Sequence, residues 1–238
     1  MLPLQLKSQY FKMRESKIKR PLFFIKFGKK EHLERLLEFG ELYFNPFIKF
    51  SDSSEPERGD EYEGSSKILN DQFTKIECDH ETLGHFEFTP VDNKSKMIVY
   101  NDKIRLSLSI YSLSTDILSK ENPYPIDKRM KTFGDHALWI QEPEVFLERL
   151  VKYFKSSSIE YGLDWITYQN YDTVGEIKTD FFCKTSELSH QREFRIIVGS
   201  ETEESQKIAI GSLKDIAVLV TSDQMTEFKF SVNTIKAT

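Results

Sequence analysis

Cysteine is nearly absent from this chain of 238 residues: Cys78 and Cys183 are the only two, far apart and in no metal-ligand spacing. Neither belongs to a Cys-x-x-Cys or stands beside a His pair, so the sequence predicts no disulfide scaffold and no structural zinc, and both thiols fit a reduced cytosolic protein. Long apolar runs are missing as well. None approaches the ~18–20 residues of a membrane span, and the N-terminus lacks the apolar core of a signal peptide, so the expected location is the cytoplasm with no membrane association. There is no excess of positive charge either; the net charge is −5. A basic domain or stripe is the usual footprint of a nucleic-acid binder. Electrostatics therefore supplies no argument for such a partner, although it leaves a nucleic-acid substrate open.

The familiar catalytic motifs are lacking too. No Gly-x-Gly-x-x-Gly, P-loop, Gly-x-Ser-x-Gly or His-Glu-x-x-His occurs. His32, His80, His85, His136 and His190 are scattered, and His80 and His85 fall in a strand-and-turn region rather than on one helix face. These absences argue against a dehydrogenase, a P-loop nucleotidase and a zinc hydrolase. There is no internal repeat, low-complexity tract or interdomain linker.

What is present is aromatic: 19 Phe and 10 Tyr supply large apolar area in a chain of only 39% hydrophobic residues. The length suits one large domain or two small ones. Residues 1–20 read as a basic N-terminal arm, and residues 21–238 as a single α+β domain. Leu22–Phe27 reads as a buried strand closed by Gly28. A helix over 29–39 follows, with Leu33, Leu36 and Leu37 on one face and Gly40 at its C′ position. Leu42–Phe44 returns as a strand and stops at Asn45-Pro46. From Ser51 to Asn70 turn residues and acids dominate. This segment reads as a solvated loop; its Arg58-Gly59-Asp60 is a coincidence of turn composition, and Asp60, Glu61 and Glu63 carry no chemistry. Strands are expected at 76–78, 86–88, 97–100 and 104–111, the last with clear period-two alternation. A polar connection spans Ser112–Lys131, then a strand at 137–140. The best-defined helix, about 143–155, opens on Pro143 and carries Phe146, Leu147, Leu150, Val151 and Phe154 as its apolar stripe. Further strands follow at 161–168, 181–184, 191–198, 207–210, 216–220 and 228–232. Many strands and few helices predict a mixed α+β sheet protein.

The most informative stretch is Gln191-Arg192-Glu193-Phe194-Arg195-Ile196-Ile197-Val198. Read as a strand, it places Gln191, Glu193 and Arg195 on one side and Phe194 and Ile196 on the other. An amide, a carboxylate and a guanidinium on one face of a buried strand suit a cleft. A carboxylate there can stabilise the positive charge that develops on a ribose when an N-glycosidic bond breaks, and an amide beside it can orient a nucleophile. The competing reading is that Glu193 and Arg195 simply pair with charges on neighbouring strands.

Gln-x-Glu entering a strand resembles the Gln-x-Glu signature of ADP-ribosyltransferases. The opening Phe24-Ile25-Lys26-Phe27, helix and Gly40-Glu41-Leu42 is similar to the strand–helix–Gly-x-Leu start of toxin-type and PARP-like members. The resemblance implies a split mixed or antiparallel sheet with NAD held in the cleft. It implies Glu193 as the catalytic carboxylate on the ribose, Gln191 on the acceptor side, and Lys26 where the family usually offers Arg or His to the dinucleotide. Arg195 would pair with a phosphate or hold Glu193. The family's middle motif is matched loosely by Ser112, Ser114 and Thr115, or by a tyrosine, Tyr168 or Tyr171. The implied reaction transfers ADP-ribose from NAD to a nucleic-acid or protein acceptor, and a toxin of this kind implies an inhibitor protein in its own cell. The chain is also similar to bacterial proteins that share the Glu-Phe-Arg-Ile ending, some found near phage-defence genes. The rival expectations are a non-catalytic module that binds a partner protein or small ligand on the same sheet face, and a nuclease-like effector with metal held by the acids of the 51–70 loop.

Overall fold

The computed structural model describes residues 20–51, 57, 59–71, 75–89, 95–118 and 120–231. Nearly all of the basic arm therefore lies outside the described residues, as do Arg58 of the 51–70 loop and Val232 at the end of the last expected strand.

Among the described residues eight strands form the principal sheet. They are β1 (Pro21–Gly28), β2 (Glu41–Pro46), β3 (Arg105–Ser114), β4 (His136–Ile140), β5 (Tyr161–Trp165), β6 (Glu193–Gly199), β7 (Gln206–Ala209) and β8 (Ala217–Thr221). The main order is β5-β6-β3-β1-β4-β8, with β2 pairing both β3 and β7, and all of these pairings are antiparallel. The mixed α+β class with mostly antiparallel sheets follows directly.

One strand sets the shape. On one edge β3 pairs with β6 from Arg105 to Tyr111. On the other edge it has two partners: β1 takes the end from Tyr111 to Ser114, and β2 takes Leu106 and Ser107. Leu108, Ser109 and Ile110 face neither, so β1 and β3 diverge past Ile25 and the sheet forks there. Helix α1 (Lys30–Phe39) joins β1 to β2 across the fork. It stops at Gly40, whose φ of 66° is left-handed and whose N–H reaches back to Leu36 O.

Period-two alternation sends the side chains of the sheet into two cores. Phe24, Leu106, Leu108, Ile110, Leu138, Phe194 and Ile196 pack with Leu33 and Leu36 of α1 and with Phe146, Leu150 and Phe154 of helix α2 (Pro143–Ser156). Phe23, Ile25, Phe27, Tyr111, Leu113 and Ala137 point to the other face. They are covered by Tyr124, Ile126 and Met130 from the 115–133 connection and by Met225 of helix α3 (Ser222–Glu227).

Smaller sheets flank this body. Ser65–Asp71 pairs with Ser95–Tyr100 and Gly175–Lys178, and Thr167–Gln169 runs parallel to Cys183–Thr185. The expected strand at 161–168 is thus two strands that belong to different sheets. The 51–70 loop is shorter than expected, because its last six residues begin a strand. No helix among the described residues is long and apolar enough to cross a membrane.

Candidate active site

The fork encloses a cavity of about 560 Å³. Its apolar side is Leu33 and Leu36 of α1 with Leu42 and Leu108, and its mouth carries the exposed Lys29 and His32. The rest of the lining includes polar and charged groups: Lys26 from β1, Gln191, Glu193 and Arg195 from the 191–195 segment, and Lys184 and Glu63 from elsewhere in the chain. A mostly apolar concavity with a few convergent polar groups is the usual form of a small-molecule site, and this volume lies within the usual range of ~300–1,000 Å³.

Four expected site residues, Lys26, Gln191, Glu193 and Arg195, therefore share one cavity. Lys26 spans the gap in the sheet, its ammonium donating to the Ser109 carbonyl at 2.6 Å. Glu193 and Arg195 stand two apart on β6, on the face opposite Phe194, and Arg195 Nη2 donates to Glu193 Oε2 at 3.2 Å.

Gln191 does not belong to the strand. It ends a 3-10 turn (Ser186–Gln191), and Arg192 adopts a left-handed φ of 47° before β6 starts at Glu193. Strand alternation does not extend to Gln191, because the residue between it and Glu193 is not extended. A third residue brings the two side chains together instead. Lys184 Nζ donates to Gln191 Oε1 at 2.7 Å and to Glu193 Oε1 at 2.8 Å. Gln191 Nε2 donates to the Glu57 carbonyl at 2.6 Å, which pins the amide at both ends.

Two expected residues are absent from the lining. Tyr168 supports the site from behind, its hydroxyl oxygen accepting the Glu193 backbone N–H at 3.0 Å, and burial raises its pKa. Ser112 lies on β3 opposite Phe24, and its buried Oγ has no hydrogen-bond partner among the described residues. Ser114 donates to Asp116, and Tyr171 packs against Tyr62.

The expectation that the acids of the 51–70 loop are solvated is wrong for two of the three. Asp60 and Glu63 are buried, at 4% and 3% exposure, while Glu61 is exposed. Glu63 Oε1 accepts from Arg195 Nη2 at 2.7 Å and lies 3.3 Å from Lys184 Nζ. Asp60 accepts the backbone N–H groups of Tyr62 and Thr185, so it ties the turn that carries Glu63 to the strand that carries Lys184. Gly64 lets that turn close: its φ is 77°, and a Cβ there would stand 3.1 Å from Phe47 Cβ.

The resulting cluster has two buried cations, Lys184 and Arg195, between two buried carboxylates. Burial opposes ionisation of both acids, but the outcomes differ. At Glu193 the Lys184 and Arg195 cations outweigh burial and hold the carboxyl below the ordinary range. At Glu63 burial wins and the pKa rises. Lys184 stays charged because Glu193 and Glu63 overcome its own desolvation. With Asp60 included, the two buried cations face three carboxylates.

Lys184 and Glu63 were not legible as site residues, because they come from segments over a hundred positions apart. The available hint was a lysine directly after the apolar Phe181-Phe182-Cys183. Elsewhere, Glu77, His85 and Glu87 bring their ligand atoms within 4.8 Å of one another on an exposed hairpin. The Lys75 ammonium already lies against both glutamates. Comparison with protein-family models, curated proteins and solved structures gives no match.

Proposed function

We propose that this chain is an ADP-ribosyltransferase-type enzyme that cleaves NAD at the nicotinamide–ribose bond and passes ADP-ribose to an acceptor. The observation that carries this reading is the cavity in the forked sheet, with an ionised Glu193 on its wall beside Gln191, Arg195 and Lys26. Bound NAD supplies a glycosidic bond whose breaking builds positive charge on the ribose. Glu193 provides the fixed negative charge such a site needs, and a preorganised charge in a dry site lowers a barrier more than the same charge in water. Lys184, Arg195 and the Tyr168 hydroxyl hold that carboxylate and its backbone in place. Lys26, at the entrance to the gap, is suited to a phosphate as a point charge. Gln191 fixes Lys184 and is the acceptor-side residue in this reading.

One observation favours a second reading, a non-catalytic module that binds a small ligand in the same cavity. Each Glu193 oxygen already accepts a bond from a cation. Nicotinamide release from NAD separates the two: release that depends on Glu193 supports the enzyme, and NAD binding without release supports the module.

A further inference from the structure

Arg192 separates Gln191 from Glu193 and takes no part in the charged cluster of Lys184, Glu63, Glu193 and Arg195. Its φ of 47° and ψ of 45° are left-handed, a conformation that strains any residue with a Cβ and persists only where the surroundings over-determine it. Extended backbone at this position would send the side chain to the Phe194 side of β6. The left-handed turn brings it instead to Tyr124 and Tyr111 of the opposite core, with the guanidinium carbon 5.7 Å from the centre of the Tyr124 ring. Tyr111 stands opposite Glu193 in the β3–β6 register, lines the forked cavity and donates to the Tyr124 hydroxyl at 3.2 Å. A guanidinium therefore lies just beyond the tyrosine that neighbours Glu193.

That cation has no carboxylate. Arg35, Arg105, Arg129, Arg149 and Arg195 each form an ion pair with Asp or Glu. The half-buried Arg192 forms none among the described residues, and the groups that face it are Tyr124, Tyr111 and Tyr168. The acids of this neighbourhood are committed elsewhere. Asp127 accepts from Arg129 at 2.8 and 3.1 Å, Glu57 lies 2.7 Å from the His190 imidazole, and Glu193 is held by Lys184 and Arg195. Arg192 Nε is buried without a hydrogen-bond partner and is out of a ligand's reach. The two terminal nitrogens are not sealed off in this way, and they are what a ligand meets. A guanidinium drawn partly out of water with no counter-ion suits an oxyanion, which its planar fork can grip with two bonds.

We propose that Arg192 is an anion-binding residue that receives a phosphate group of a ligand at the edge of the forked cavity. Naming the ligand as NAD or its acceptor rests on the NAD-cleaving reading above, whereas the anion site stands without it. Two sources could supply the phosphate: the diphosphate of NAD, and the backbone of a nucleic-acid acceptor passing Gln191.

The test uses the whole protein with Arg192→Asn and Arg192→Lys. Asparagine tolerates left-handed backbone, so it removes the guanidinium and keeps the turn; lysine keeps the charge and loses the fork. Calorimetry with pyrophosphate in phosphate-free buffer should show binding to wild type, binding about ten- to a hundredfold weaker to Arg192→Asn, and an intermediate affinity for Arg192→Lys. The same titrations with NAD, with nicotinamide riboside (the same glycosidic bond, no phosphate) and with a single-stranded oligonucleotide distinguish the sources. A loss for NAD with the riboside unchanged assigns the dinucleotide, and a loss for the oligonucleotide alone assigns the acceptor. Equal pyrophosphate affinity in wild type and Arg192→Asn, or no binding by wild type, would overturn the anion site. If Arg192→Asn does not fold, the Arg192 side-chain NMR resonance of the wild type decides: it should shift on adding pyrophosphate, and a resonance that stays in place overturns the site. Pyrophosphate binding that depends on Arg192, in a protein that cleaves no NAD, keeps the site and removes the NAD-cleaving reading. Nicotinamide release with pyrophosphate binding indifferent to Arg192 does the reverse.

Discussion

Replacing Lys184 by methionine removes one ammonium from the centre of the charged cluster. The residue is 4% exposed and stands 2.8 Å from Glu193, 2.7 Å from Gln191 and 3.3 Å from Glu63. At an effective dielectric of ~20, each of its two carboxylate contacts is worth about 5 kcal/mol before desolvation is charged against it. Removing one partner of a buried ion pair costs about 3–5 kcal/mol net, because the other charge is left uncompensated. At ~2–4 °C per kcal/mol for a domain of this size, the midpoint should fall by roughly 6–20 °C at pH 7. The loss should depend on pH. Without Lys184 the two carboxyls are harder to ionise, so their folded pKa values lie above those in the wild type. As pH falls the variant's carboxyls take up protons before the wild type's do, which offsets part of the loss, and the gap to wild type should narrow on going from pH 7 toward acid. Thermal unfolding followed by circular dichroism at pH 7 and at acid pH checks this. A variant that melts with wild type at pH 7, or a gap that ignores pH, would refute the reasoning that Lys184 holds this cluster together.

Two other outcomes are expected. Because the folded pKa of Glu193 lies below its unfolded value, its stabilisation is complete above the ordinary carboxylate range and disappears as pH falls through the folded value. Unfolding midpoints taken down an acid series should therefore decline for wild type more steeply than for Glu193→Gln, and parallel curves would contradict the assigned pairing. Gly40→Ala should destabilise by more than ~1–2 kcal/mol in denaturant titration. A Cβ there takes a left-handed φ and stands 2.1 Å from the Gly211 carbonyl oxygen; wild-type stability would show that the α1–β2 corner is not fixed as described.

The elements that position the site were legible where local rules suffice. β1, α1 and β2 follow from an apolar run, a leucine stripe and Gly40, and α2 follows from Pro143 and its Phe/Leu stripe. Ser-Leu alternation marked β3 as a strand, but nothing in its sequence says that two strands share one of its edges. That arrangement depends on α1 being long enough to hold β1 and β2 apart, which is tertiary geometry. The face of β6 was correct from Glu193 onward and wrong at Gln191, because the left-handed Arg192 has no local signature such as glycine. Asp60 and Glu63 looked like solvated loop acids because acids in a Gly-, Pro- and Ser-rich segment usually are. Their burial depends on Lys184 and Arg195, cations that arrive from distant segments. Helix α3 was missed although Thr221 and Gln224 form a reciprocal capping box.

The central claim is that Glu193 serves an NAD-cleaving site in the forked sheet. The most direct test measures nicotinamide release from NAD by wild type, Glu193→Gln and Glu193→Asp, with NAD binding and unfolding midpoints recorded on the same samples. Wild type should release nicotinamide, the folded glutamine variant should lose release while retaining NAD binding, and the aspartate variant should release it at a reduced rate. Equal release by wild type and Glu193→Gln, or neither release nor NAD binding by wild type, would contradict that claim.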